Sequence, residues 1–274
     1  MRNAKTIGFI SIKGGVGKTT AVANLGYSLA NDFGKKVLVV DSNMSAPSLA
    51  LHYGFLNWKH TLTDVIEKKC PIKSAIYQLS DNLHILPSSM KSSKEVLDPM
   101  LLKKHLLSVK QFYDYILLDT TPALNKELLS AMIASDELFV ITTADHATLS
   151  CTMHAIQVAK RKKTPIKGVM INKVIGKKYE LSLGTIENHT KTPVVSVLFK
   201  DNLIPHSQAE TKSVLEFRPM SHTSIQLRKF AAALINEKYE DPRLFERLRK
   251  NLTRSLTKEE VNRVLMNNHL SLRN

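Results

Sequence analysis

The sequence predicts an α/β protein built on a doubly wound, mostly parallel sheet with helices on both faces. Three observations predict it. Short, largely apolar runs at 7–12, 36–41, 83–88, 113–119, 137–143, 167–173 and 194–199 alternate with segments of helical periodicity. Two of these runs end in a carboxylate, Asp41 and Asp119, at the strand edge where ligands of open α/β sheets gather. A glycine-rich turn joins the first run directly to a helix.

That turn is Lys13-Gly14-Gly15-Val16-Gly17-Lys18-Thr19-Thr20, followed by a helix over 21–30. A strand, a Gly-rich turn and a helix, in that order, are the setting of a phosphate-binding loop. The glycines remove Cβ atoms, so consecutive backbone N–H groups of Gly14, Gly15, Val16 and Gly17 can close around phosphate oxygens. The helix N-terminus adds a partial positive charge at the same spot. Lys18 can reach the β- and γ-phosphates, and the Thr19 hydroxyl can ligate Mg²⁺. The plainer alternative, a glycine turn without a ligand, leaves the Gly17-Lys18-Thr19 ending unexplained. Lys13 is an extra lysine, placed where the general motif demands nothing.

The remaining elements follow in order. Residues 36–41 read as a buried strand ending in Asp41, with Asn43 two residues on. Residues 61–67 and 71–76 read as two short helices, and 83–88 as the next strand with its exit loop. Ser92 or Ser93 can cap a helix running to about Lys110, with Leu97, Leu101, Leu102, Leu106 and Val109 on its apolar face. The strand 113–119 ends in Asp119, whose carboxylate suits Mg²⁺ held through water. Residues 137–143 form another buried strand and 148–163 a helix. His146 and His154 do not make a metal site, because no third ligand stands nearby. The strand 167–173 ends near Asn172, 194–199 is the last core strand, and 224–235 closes the domain as an amphipathic helix.

The octet Lys13-Gly14-Gly15-Val16-Gly17-Lys18-Thr19-Thr20 resembles the deviant Walker A motif of the MinD/ParA family of P-loop ATPases, and the resemblance extends over about residues 4–238. It implies a P-loop NTPase fold, binding of ATP/ADP with Mg²⁺, and slow hydrolysis. Lys13 would reach across the interface of an ATP-bound homodimer to the partner's nucleotide. Thr19, Asp41 and Asp119 would organise Mg²⁺, while Gly14 through Thr20 would hold the phosphates. Asn172 matches the family's adenine-reading Asn, and Lys200 and Asp201 occupy the loop that covers the base. The chain departs from the pattern at four places. Asn43 stands where a second switch I carboxylate orients the attacking water, and Asn cannot take a proton. Ala123 replaces a switch II glycine, where an added Cβ restricts close backbone approach or a positive φ. Ala144-Asp145 replaces Pro-Glu, and Lys200 is not the usual residue of its loop.

The net charge of +15 favours a polyanionic neighbour, nucleic acid or an anionic membrane face, over a generally solvated basic surface only by an even margin. No acidic residue occurs from His146 to Tyr179, a span holding Lys160, Arg161, Lys162, Lys163, Lys167, Lys173, Lys177 and Lys178. Cys70 and Cys151 are isolated, which fits a reducing, cytoplasmic compartment. No apolar run approaches the length of a membrane span.

Residues 239–274 are a separate extension. Leu244, Phe245, Leu248, Leu252 and Leu256 form one stripe flanked by Arg243, Arg247, Arg249, Lys250 and Arg254. Residues 257–260 then open a second helix with a capping box. The stretch 243–256 is similar in character to the basic amphipathic helix with which MinD proteins contact the membrane. Packing on the domain or a protein partner, and binding nucleic acid, are the alternatives. The resemblance as a whole implies a switch ATPase that dimerises on ATP and positions a cell-division or related apparatus through an unidentified protein partner, in the cytoplasm or peripherally on the inner face of the membrane. A nucleotide-stabilised scaffold without turnover, and a ParA-like partition ATPase binding DNA non-specifically, are the rival readings.

Overall fold

The computed structural model describes residues 2–90 and 98–243. The candidate cap at Ser92 or Ser93, Leu97 and nearly all of the extension, where two helices are expected, lie outside the described residues. The sheet comprises β1 (Lys5–Ile10), β2 (Val37–Asp41), β3 (Tyr77–Gln78), β4 (Leu83–Leu86), β5 (Tyr115–Asp119), β6 (Glu137–Thr142), β7 (Ile166–Val174) and β8 (Val194–Phe199). Their spatial order is β3-β4-β2-β5-β1-β6-β7-β8. Every pairing is parallel except the short β3–β4 edge, as the alternation of strands and helices predicts.

The helices are α1 (Lys18–Tyr27), α2 (Leu62–Ile66), α3 (Pro99–Leu107), α4 (Lys126–Ala134), α5 (His146–Arg161), α6 (Leu183–Thr190), α7 (Leu203–Ala209), α8 (Val214–Phe217) and α9 (His222–Leu234). The central strands are apolar in succession because both sheet faces are covered. Val37, Val39, Leu117, Phe139 and Ile141 face α1, α8 and α9. Leu38, Val40, Ile116 and Leu118 face α2 and α3, and Leu138 and Val140 face α5 and α6.

Local sequence sets the boundaries. The helix bearing Leu101, Leu102 and Leu106 starts at Pro99, not near Ser93. Pro99 occupies the first turn, where a missing N–H is harmless, and Asp98 accepts the Met100 N–H at 2.9 Å. The helix ends at Leu107, and Lys110–Phe112 forms a separate 3₁₀ turn. α2 opens with a Thr61–Asp64 capping box. The segment expected as a helix at 71–76 is a 3₁₀ turn, Ile72–Ala75. α5 begins at His146, two residues before the expected start, because Asp145 is its N-cap. Among the described residues no helix is long and apolar enough to cross a membrane.

Candidate nucleotide-binding site

β1 and α1 deliver the glycine loop to the C-terminal edge of the sheet. Gly15 and Gly17 have φ of +75° and +95°, the left-handed region that glycine enters without strain. Gly17 caps α1 without any side-chain hydrogen bond, so the first-turn N–H groups remain directed outward for an anion. The loop opens on a cleft of about 510 Å³, lined among others by Gly14, Lys18, Thr19, Asn43, Asn172 and Lys200. Lys18 is buried, and desolvation lowers its pKa while the nearby Asp119 acts in the opposite direction.

Asp41 and Asp119 end adjacent parallel strands and are register partners. Asp119 is 0% exposed, and neither of its carboxylate oxygens has a well-formed hydrogen bond. Burial first, then the Asp41 charge, push it up to about 7, against Thr19, Lys18 and the Thr120 N–H. Burial also raises Asp41 to about 6, although it accepts N–H groups from Asn43 at 3.1 Å, Ser48 at 2.9 Å and Leu49 at 3.0 Å. Two buried carboxylates beside a threonine hydroxyl, one of them without a well-formed hydrogen bond, form a hard oxygen set that fits Mg²⁺.

Lys13 turns toward its own chain. Its Nζ donates to Thr148 Oγ1 at 2.8 Å and lies 3.5 Å from Asp145 Oδ1. Partial burial works to raise the Asp145 pKa, but the Thr143 hydroxyl, the Thr148 N–H and hydroxyl, and the Lys13 ammonium hold it at about 2. At the other end of the cleft, Asn172 Nδ2 donates to the Val16 carbonyl at 2.7 Å. Asp201 accepts the Leu203 N–H at 2.9 Å and the Thr223 hydroxyl at 2.5 Å, so its carboxylate already fixes α7 and α9.

Comparison with known proteins decides the family. A family model described as an AAA domain (AAA_31) matches residues 4–168. An uncharacterised ATP-binding protein of Methanocaldococcus jannaschii is 32% identical over 238 residues, covering 86% of this chain and 90% of the relative. The chromosome-partitioning ATPase Soj of Treponema pallidum is 36% identical over 169 residues, 57% of this chain and 64% of Soj. The septum site-determining protein MinD of Pyrococcus horikoshii, solved with Mg-ADP, superposes with a TM-score of 0.79 at 28% identity, over 84% of this chain and 96% of that one. The chain belongs to the MinD/ParA-like family of P-loop ATPases. Members of this family bind ATP and Mg²⁺.

The departures from the MinD/ParA pattern have distinct structural outcomes. Asn43 folds back on its own loop, donating Nδ2 to the Ala46 carbonyl at 2.7 Å and accepting the Ala46 N–H at 3.3 Å. An aspartate could not make the first of these bonds. Ala123 is exposed and is not among the positive-φ residues, so the expected restriction of a left-handed backbone does not arise. Pro122, its neighbour, packs over Gly14. The acid-free span divides between the ends of β7. Lys160, Arg161, Lys162, Lys163 and Lys167 sit near its start, and Lys173, Lys177 and Lys178 at or beyond its finish, of which Lys173 reaches the glycine loop. Among the described residues no group of three or more His, Cys, Asp or Glu is placed to hold a metal ion.

Sequence reasoning passed over several cleft residues. Gln208 donates to Thr20 Oγ1 at 3.0 Å, Thr223 anchors Asp201, and His52 lines the same cleft. Gln208 lies on α7, a helix with no legible period, so no local signal pointed to it. Lys173 shows in the sequence as the strand-end residue after Asn172 and as one charge of the basic span, without a role of its own.

Proposed function

We propose that the chain is an ATP-dependent switch that dimerises on ATP, hydrolyses it slowly and positions a cell-division or related apparatus through a protein partner. The observation that carries this reading is Lys13, a half-exposed lysine at the front of an intact phosphate loop, whose ammonium meets Thr148 and the half-exposed Asp145 among the described residues. In this reading Lys13 leaves that contact and reaches the nucleotide of a second copy. Gly14 through Thr20 cradle the phosphates, Lys18 neutralises the β- and γ-phosphates, and Asn172 faces the adenine with Lys200. Thr19, Asp41 and Asp119 hold the metal. Bound Mg²⁺ would supply charge neutralisation between the β- and γ-phosphates.

The test measures oligomeric state and phosphate release with Mg-ATP and Mg-ADP. Wild type should become dimeric with ATP alone, Lys13→Ala should stay monomeric, and Lys18→Ala should lose turnover. A dimer that ignores nucleotide, or one untouched by Lys13→Ala, would overturn the reading.

One observation favours a second reading, a nucleotide-stabilised scaffold. The Asn43 amide is closed on Ala46 and carries no proton acceptor of useful basicity, and loss of such a group slows a reaction by about 10²–10⁴. Under this reading wild type retains intact ATP and Asn43→Asp gains turnover. Turnover by wild type that vanishes in Lys18→Ala disposes of it.

A further inference from the structure

A cradle of inward-pointing backbone N–H groups turns the carbonyls of the same peptides outward, and those carbonyls need donors of their own. Two consecutive residues near the end of β7 supply them. Asn172 Nδ2 donates to the Val16 carbonyl at 2.7 Å, and Lys173 Nζ donates to the Gly15 carbonyl at 2.7 Å. Asn172 Oδ1 accepts the Lys173 N–H at 2.9 Å, which ties the two donors together.

The backbone is shaped for this contact. Lys173 has φ +60°, a left-handed conformation that a lysine keeps only where its surroundings impose it. The β7–β8 register shifts between Ile171 and Val174, and such a bulge re-aims side chains at the rim of a sheet. The fit is close, since a Cβ on Gly17 would lie 2.3 Å from Asn172 Nδ2.

We propose that Lys173 is a positioning residue for the phosphate cradle. Its ammonium holds the Gly15 peptide with the carbonyl outward, so the loop N–H groups face the phosphates before a ligand arrives. The inference rests on the ATP-binding reading for its consequence, but the strap itself needs neither base nor ribose.

Inorganic tripolyphosphate and ATP, each with Mg²⁺, are titrated into wild type, Lys173→Met and Lys177→Met. Hydrogen exchange of the 13–20 peptide is measured in the ligand-free proteins. Lys177 is the control, an exposed neighbour of equal charge. Lys173→Met should weaken both ligands by the same factor, about tenfold, and speed exchange in the loop at an unchanged melting temperature. Lys177→Met should do neither. Loss of ATP affinity with tripolyphosphate intact would make Lys173 a base or ribose contact and overturn the proposal. Equal losses in the two variants would reduce it to general charge and also overturn it. Wild type that binds neither ligand would sink the ATP-binding reading, while the exchange comparison would still judge the strap.

Discussion

Asp119 keeps a carboxylate at full burial with no well-formed hydrogen bond on either oxygen, beside a second buried carboxylate, Asp41. Both are raised above the ordinary 3.8, to about 7 and about 6. An acid whose folded pKa is raised binds more protons folded than unfolded, so stability falls as pH rises between the two values. These two carboxylates are therefore expected to take stability from the ligand-free protein as pH rises from about 4 to about 7, by a few kcal/mol in order of magnitude. Asp119→Asn should flatten that slope and raise the melting temperature at pH 8, while abolishing the Mg²⁺ dependence of ATP binding. Thermal melts across pH check the first, and titrations with and without Mg²⁺ the second; an unchanged slope would show that Asp119 is not the titrating group. The two carboxylates and the lysine-glycine octet were legible because each sits at a fixed offset from a strand end. Lys173 and Gln208 were not, since a bulge and a tertiary contact with Thr20 give them their places.

At the scale of elements, α5 shows how a helix terminus and a functional side chain share one residue. Asp145 caps the helix through the Thr148 N–H at 2.9 Å and also faces Lys13. Asparagine caps about as well as aspartate, and alanine does not. Asp145→Ala is expected to cost about 1 kcal/mol in denaturant unfolding, and Asp145→Asn less than about 0.5 kcal/mol, because the ion pair with Lys13 is half exposed. Equal losses in the two variants would mean that the charge, not the cap, carries the stability. The period of α5 is readable in the sequence, but its start lies two residues before the expected one, because an aspartate in a polar stretch reads equally as a loop residue and as a cap. α4 and α6 went unread altogether. Their caps, Asn125 and Ser182, are single residues in polar loops, and only the packed sheet distinguishes them from other turns.

At the scale of the molecule, the parallel sheet followed from strands too apolar for one wet face. The core is tied across its middle by aromatic rings. Phe139 stacks on Phe9 at 5.9 Å and meets Phe230 of α9 edge-on at 5.3 Å, so one ring joins β1, β6 and the closing helix. Phe139→Ala is expected to destabilise by about 3–5 kcal/mol, read as a shift in denaturant midpoint. A loss below about 1 kcal/mol would mean that the two halves of the sheet are held elsewhere. The order β3-β4-β2-β5-β1-β6-β7-β8 was not legible, because parallel strands of similar composition carry no label of their neighbours.

β7 runs for nine residues with lysines near both ends. Lys167 and Lys173 are thereby about 20 Å apart, against a screening length of about 8 Å at physiological ionic strength. The two basic ends are therefore electrically deaf to one another. A polyanion resting near Lys163 and Lys167 would change the phosphate site's potential little. Its presence would be felt there chiefly mechanically, by a displacement of the strand carried to Lys173 and from there to the Gly15 carbonyl.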